Sequence, residues 1–238
     1  MFLPILKLDS IDLPTAALVC GDPDRAKQIA ERLEGARELS FNREYRTFVG
    51  SYKSRDLAVV SHGVGSPGAA VCFEELIRGG VNTIIRVGTA GSYVQDLSSG
   101  SLVVSIGSVR EEGLTRQLVP MGFPAVADTV LSEELFQMAL ERKASVRKGI
   151  TLTLDAFYSG VEEFPHKKYK QAGVLAVEME NAALFVIASL RGARAGAIMA
   201  IDGYADEELA EVYDPYTKQV GKAIELEIEI ALEALVKI

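Results

Sequence analysis

The sequence has little cysteine, little histidine and no long run of any one character. Its 238 residues hold two cysteines, Cys20 and Cys72, and two histidines, His62 and His166. Neither cysteine has a partner at metal-knuckle spacing, and both sit in apolar stretches. Reduced core thiols in a reducing compartment are therefore expected, with no disulfide framework and no metal site. There is no long basic run and the net charge is −8. Both argue against nucleic acid or an anionic membrane as the partner. A small anion stays open, because it needs only a few local arginines. No stretch approaches the roughly 20 apolar residues of a membrane span. The opening MFLPILKLDS has neither the charged start nor the length of a signal peptide. A cytoplasmic location is expected. No Pro/Ser-rich linker or internal repeat divides the chain, so residues 1–238 read as one domain.

What is present is a 48% hydrophobic composition, cut into short apolar runs between amphipathic segments. Residues 16–20, 57–61, 83–87, 102–106, 150–154, 174–177 and 197–201 read as buried strands. Helices are expected from Arg25 onward, over 133–143 and over 181–190. Another is expected after Ser66, which can cap it, with Pro67 in its first turn and Gly79-Gly80 at its end. The last segment carries two periods. Ile224, Leu226, Ile228 and Ile230 alternate like a strand, while Val220, Ile224, Ile228, Ala231 and Leu235 keep helical spacing. Its length and alanines favour a helix. Strands alternating with helices along the whole chain imply an α/β fold.

In such folds ligands gather at the carboxyl ends of strands, and four strand ends here are polar or glycine-rich. GDPDR at 21–25 offers Gly21 for close backbone approach, a helix N-terminus for an anion, and Arg25 for a forked contact. A plain turn with a solvated arginine is the ordinary alternative. RVGTAGS at 86–92 places Arg86 at the end of an apolar run, where a charge needs a partner. Thr89 and the amides of a small-residue loop can meet phosphate oxygens. A structural ion pair for Arg86 is the competing account.

VEMEN at 177–181 places Glu178 and Glu180 two residues apart, on one side of extended backbone. Such carboxylates can accept a ribose diol, or simply enrich a helix N-terminus in acid. In AIDGYADEE, Asp202 follows a strongly apolar run. Desolvated, its raised pKa would suit a general acid; otherwise it belongs to an Asp-Gly turn. His62 in SHGVG reads first as a satisfied structural histidine. His166, in a polar run, is expected to be exposed.

Taken together, GDPDR, NREY, SHGVG, RVGTAGS, FPAVAD, DAFYSG and VEMEN stand in the order and spacing of the hexameric nucleoside phosphorylases. The chain resembles that family from about Ala16 onward. FNREY, SHGVGSPGAAVCFEEL and the pair Asp202-Gly203 look most like its apicomplexan-type purine branch. The resemblance implies a three-layer α/β/α fold around a central mixed sheet. It implies phosphate binding by Gly21, Arg25, Arg86 and Thr89, with Arg43 reaching in from a neighbouring subunit. Met179 and Glu180 would hold ribose, with Glu178 beside them. Phe157 would pack on the base, with Tyr158 adjacent, and Asp202 would be the general acid.

Inorganic phosphate would be the co-substrate, with no metal or organic cofactor. The assembly would be a homo-oligomer, a hexamer built as a trimer of dimers. Within the resemblance, uridine phosphorylases read uracil with a Gln and an Arg after the Phe-Tyr pair. Val161 and Glu163 stand there instead, which favours a purine over uridine; a methylthioadenosine phosphorylase of the same family is the other alternative. The three arginines favour phosphorolysis over hydrolysis, and over a non-catalytic nucleoside-binding role. The purine 6-substituent would be read by a loop near residues 203–214. One departure stands out. No histidine precedes His62, and Leu3, Pro4 and Ile5 occupy the region where the family carries one for the 5′-hydroxyl.

Overall fold

The computed structural model describes residues 1–205 and 213–238. Of the loop expected to read the 6-substituent, residues 206–212 lie outside the described residues. The chain opens with a small ribbon, β1 (Phe2–Leu3) against β2 (Leu8–Asp9). β3 (Ala16–Cys20) leads into α1 (Pro23–Ala30). Asp22 caps α1 by accepting the Asp24 amide at 2.8 Å, and Pro23 stands where no intrahelical N–H is needed. β4 (Glu34–Asn42), β5 (Tyr45–Tyr52) and β6 (Arg55–Ser61) form an antiparallel meander. Then follow α2 (Ser66–Arg78), β7 (Thr83–Ser92), β8 (Leu102–Arg110), α3 (Leu114–Leu118), β9 (Ala125–Val126) and α4 (Thr129–Glu141). The chain continues through β10 (Val146–Thr153), α5 (His166–Gln171), β11 (Ala176–Glu178), α6 (Asn181–Arg191), β12 (Arg194–Tyr204) and α7 (Lys218–Lys237).

One mixed sheet runs in the order β11-β10-β8-β12-β7-β3-β6-β5-β4, with β9 on β8. β6, β3, β7 and β12 are mutually parallel, so their carboxyl ends share one edge. β11 pairs with β10 in parallel and with β7 antiparallel. The sheet thereby curls back on itself through β7, β12, β8, β10 and β11. Ile84 faces a core shared with α2 and α6, while Ile85 faces the one beneath α1, α4 and α7. That alternation is the period of a strand buried on both faces. The result is the expected three-layer α/β/α arrangement.

Several local expectations change. The strand expected over 83–87 continues to Ser92, because parallel β12 gives RVGTAGS a ladder partner through most of its length. RVGTAGS is therefore strand, not loop. Ser66 does not cap α2. Gly65, at φ 93°, is the cap residue, and the Ser66 hydroxyl donates to the Met179 carbonyl at 2.8 Å. The hairpin β4–β5 was not legible, because β4 is largely exposed and lacks an apolar alternation. The last segment is helical, as its length and alanines favoured. Both cysteines are free and buried. Among the described residues no helix is long and apolar enough to cross a membrane.

Candidate active site

A cavity of about 1180 Å³ opens at the shared carboxyl edge of β3, β6, β7 and β12. That is ample for a nucleoside-sized ligand and an anion. Gly21, Arg25, Arg86, Thr89, Phe157, Tyr158, Glu178, Met179, Glu180 and Asp202 all line it. Arg43 does not. It sits exposed at the β4–β5 turn with φ 56°, while its neighbour Glu44 faces the cavity.

One end of the cavity suits an anion. A Cβ on Gly21 would stand 3.2 Å from the Gly63 carbonyl, tight enough that a side chain there would push the β3–α1 and β6–α2 turns apart by a few tenths of an ångström. The Gly63 amide donates to the Gly21 carbonyl at 3.0 Å and ties the two turns together. Arg25, in the first turn of α1, is half-buried. It makes no hydrogen bond or ion pair among the described residues. His62 lies behind these turns, fully buried, with its ring edge-on to Phe73. Burial lowers its pKa to about 4, so it is neutral at pH 7. Its Nδ1 lies 2.9 Å from the Gly63 carbonyl, while Nε2 has no partner among the described residues. The structural reading of His62 therefore holds for one ring nitrogen only.

The middle of the cavity is acidic. Because β11 runs antiparallel to β7, with Val177 opposite Gly91, the chain after Val177 heads back toward Arg86. Arg86 bonds Glu180, approaches Glu178 at 3.2 Å and donates to Asn181 Oδ1 at 2.9 Å. The ion-pair account of Arg86 thus describes its contacts here. Glu178 is held inside the scaffold. It accepts the amides of Glu180 and Asn181 at 2.7 and 2.8 Å, capping α6, and a hydroxyl hydrogen bond from Thr153. Burial raises its pKa, and Arg86 opposes that shift. These contacts are those of the acid-rich helix start weighed against a ribose role, and Glu178 also lines the cavity. Glu180 accepts the Gly65 amide at 2.6 Å and keeps its carboxylate against the cavity.

The far end is aromatic with one acid. Ladder register between β12 and β7 slips between Ile201 and Gly203, leaving Asp202 as the extra residue of a bulge. Bulges re-aim a side chain in this way. Asp202 is 6% exposed. Burial raises its pKa, while the Tyr213 and Thr89 hydroxyls pull the other way. Phe157 and Tyr158 are mostly exposed, their rings 5.1 Å apart edge to face, with Tyr213 at 6.1 Å from Phe157.

Val161 and Glu163, the positions used above to argue for purine, do not line the cavity; Phe164 and His166 do. His166 is half-buried, not exposed, and its Nδ1 lies 2.6 Å from the Tyr93 hydroxyl. Its polar neighbours hid this; the adjacent Phe164-Pro165 was the available signal. Tyr213 gave no signal, because it meets Asp202 from 11 residues further along the chain. Among the described residues, no cluster of three or more His, Cys, Asp or Glu is arranged to hold a metal ion.

Comparison with known proteins agrees over nearly the whole chain. The model of a family described as the phosphorylase superfamily matches residues 15–237. A guanosine phosphorylase of Halorubrum lacusprofundi is 34% identical over 235 residues, covering 98% of this chain and 97% of its own. A uridine phosphorylase of Thermococcus kodakarensis is 35% identical, covering 95% of this chain and 83% of its own. Among solved structures, the purine nucleoside phosphorylase of Toxoplasma gondii in complex with immucillin-H superposes with a TM-score of 0.93. It is 32% identical, with 99% of this chain and 96% of that one covered.

Proposed function

The chain belongs to the phosphorylase superfamily as a nucleoside phosphorylase, a pentosyltransferase, and from that premise we propose that its nucleoside is a purine one. The reaction is reversible phosphorolysis to free base and (deoxy)ribose 1-phosphate. The observation that carries the purine reading is Asp202: a buried carboxyl with a raised pKa, aimed by a bulge into the end of the cavity that holds Phe157, Tyr158 and Tyr213. Protonated, it donates toward purine N7 as the glycosidic bond breaks, so the base leaves neutral. Uracil has no equivalent nitrogen.

The remaining roles follow the cavity from end to end. Gly21, Arg25 and Thr89 cradle phosphate, with Arg86 at the boundary between phosphate and sugar. The guanidinium forks match phosphate oxygens and balance their charge. Glu180 accepts the sugar hydroxyls, held by Arg86 and the Gly65 amide, with Met179 beside the sugar. Phe157 and Tyr158 pack on the base. The sugar gains oxocarbenium character beside these acids, and phosphate adds at C1′ with inversion. Positioning and proton donation supply the rate. Phosphate is the co-substrate, and no step is assigned to a metal or organic cofactor.

The whole of residues 1–238 acts as one catalytic unit in a cytoplasmic homo-oligomer, a hexamer in which Arg43 completes the neighbour's phosphate site. Its exposure at a turn outside its own cavity supports that role. The second reading is a uridine phosphorylase, favoured by the Thermococcus kodakarensis relative.

Base release from inosine, adenosine and uridine, each with and without phosphate, tests these readings. Phosphate-dependent release from a purine nucleoside, with little from uridine, is expected. Preferential release from uridine overturns the purine reading. Equal release without phosphate overturns the roles given to Arg25, Arg43 and Arg86.

A further inference from the structure

α7 covers the second face of the sheet with a stripe of small and apolar residues that includes Val220, Ala223, Ala231 and Ala234. One carboxylate interrupts it. Glu227 stands four residues from both Ala223 and Ala231, so it shares their face. It is 0% exposed, and neither of its carboxylate oxygens has a hydrogen-bond partner among the described residues. A methionine or leucine there would pack without any desolvation cost. A buried polar group left without a partner calls for an explanation.

The charges around Glu227 supply one. Burial pushes its carboxyl well above the usual carboxylate range. Of the charges acting on it, Arg25 on α1 counts first and Arg86 on β7 second, while Asp202 on β12 acts in the opposite sense. The backbone of Ala200 favours the charged form without closing a hydrogen bond. Cys20 on β3 also lies within the field of Glu227, and its thiol is pushed up to about 12 by burial, so it stays neutral. Arg86 is already engaged by Glu178, Glu180 and Asn181. Arg25 has no such partner among the described residues. One buried carboxyl group without a hydrogen-bond partner and one half-buried guanidinium without an acceptor therefore lie within each other's field, and approach of the guanidinium favours the carboxyl's charged form against the effect of burial.

We infer that Glu227 is the positioning residue of Arg25: the two form no ion pair in this structure, and Glu227 draws one edge of the guanidinium when the other edge meets phosphate. The inference rests on the phosphate role proposed above for Arg25. A guanidinium carries five N–H donors in a rigid fork and can serve two acceptors at once. Glu227 does not line the cavity, so it touches no substrate and acts through the arginine alone. It also explains why this polar residue stands in an otherwise apolar stripe.

The test is steady-state phosphorolysis by the intact oligomer of Glu227→Gln, with inorganic phosphate varied at saturating nucleoside. KM for phosphate is expected to rise roughly tenfold, with kcat and the nucleoside KM within about threefold of the parent. Glu227→Asp, which keeps the charge, is expected to recover part of the loss. In an Arg25→Ala background, Glu227→Gln is expected to add little, because the pair acts as a unit. The phosphate-induced rise in Tm gives the same reading without turnover, and Glu227→Met serves if the amide packs poorly. An unchanged phosphate KM in Glu227→Gln, where Arg25→Ala raises it, overturns the inference and leaves the phosphorylase reading intact. Base release by the parent enzyme that ignores phosphate overturns both, and is seen before any Glu227 variant is made.

Discussion

The hydroxyl of Tyr213 donates to Oδ2 of Asp202 across 2.9 Å, at the point where β12 slips register against β7. The bulge turns the carboxyl into the cavity, burial favours its proton, and the tyrosine moderates that preference. Asp202→Asn keeps the shape and removes the transferable proton. We expect kcat for purine nucleosides to fall by about 10²–10⁴-fold, the usual worth of a positioned general acid. The phosphate KM should stay close to that of the parent. Steady-state kinetics on inosine check this; a variant with undiminished kcat would remove Asp202 from the chemistry.

The same pair sets a pH dependence. A carboxyl that acts while protonated is fully active below its folded pKa and loses activity as pH rises through it. Asp202 is raised, so the alkaline limb of kcat should lie above the ordinary carboxylate range. Tyr213 stabilises the charged form, so Tyr213→Phe should raise the carboxyl further and move that limb to higher pH. A limb that moves to lower pH in the phenylalanine variant contradicts the assignment.

Arg86 stands between two buried carboxylates. Removing it leaves Glu178 and Glu180 uncompensated in a low-dielectric interior. Arg86→Met should therefore destabilise the fold by about 3–5 kcal/mol, the range for breaking a buried ion pair from one side. Adding Glu180→Gln to that variant should return part of the loss, since one stranded charge is then gone. Urea unfolding at fixed protein concentration measures both, because self-association of a folded chain makes apparent stability depend on concentration.

How much of this was readable beforehand varies with the distance over which a residue's role is decided. The strand at Ala16–Cys20 is local, and it was legible, as was the helix after it, although that was read from Arg25 onward and the structure starts it at Pro23 with Asp22 as its cap. So was the gathering of Gly21, Arg25, Thr89 and Asp202 at one edge, because parallel strands place their carboxyl ends together. Glu178 was not resolvable from sequence. Its role depends on β11 lying antiparallel on β7, a long-range pairing that turns the acid into the cap of α6. RVGTAGS reads as a loop from its small residues, yet becomes strand because β12 runs beside it. Tyr213 and Glu227 were silent for the same reason. Each meets the site only after the sheet and α7 are assembled.

The β1–β2 ribbon carries Leu3 in β1 and Pro4 and Ile5 in its turn, where the resembling family has a histidine for the 5′-hydroxyl. In this chain the segment is fixed another way, with the Ile5 and Leu6 amides donating to the buried Glu75 carboxylate at 2.8–3.1 Å. No imidazole is offered to a neighbouring sugar from this segment. We expect 5′-deoxyinosine to be cleaved with kcat/KM within about tenfold of inosine, since one unmade hydrogen bond costs roughly 0.5–1.5 kcal/mol. A loss of several hundredfold would mean that another group reads the hydroxyl.

Arg43 is the one expected site residue outside its own cavity, held at a turn with φ 56°. If it completes the neighbour's phosphate site, activity depends on pairing, and the pairing can be programmed. Arg43→Ala subunits assembled among themselves lack Arg43 at every site, and Arg25→Ala subunits lack Arg25 at every site. Co-expressed, a mixed pair contains one site with both lesions. Its other site is intact, with Arg25 from one chain and Arg43 from its partner. We therefore expect each homo-oligomer to show a raised phosphate KM, and the co-expressed mixture to regain a fraction of parental activity at low phosphate. An arginine acting within its own subunit predicts no recovery, because every site then keeps one lesion. Co-expression followed by tandem-tag purification of the mixed species, assayed at a phosphate concentration below the parental KM, separates the two arrangements.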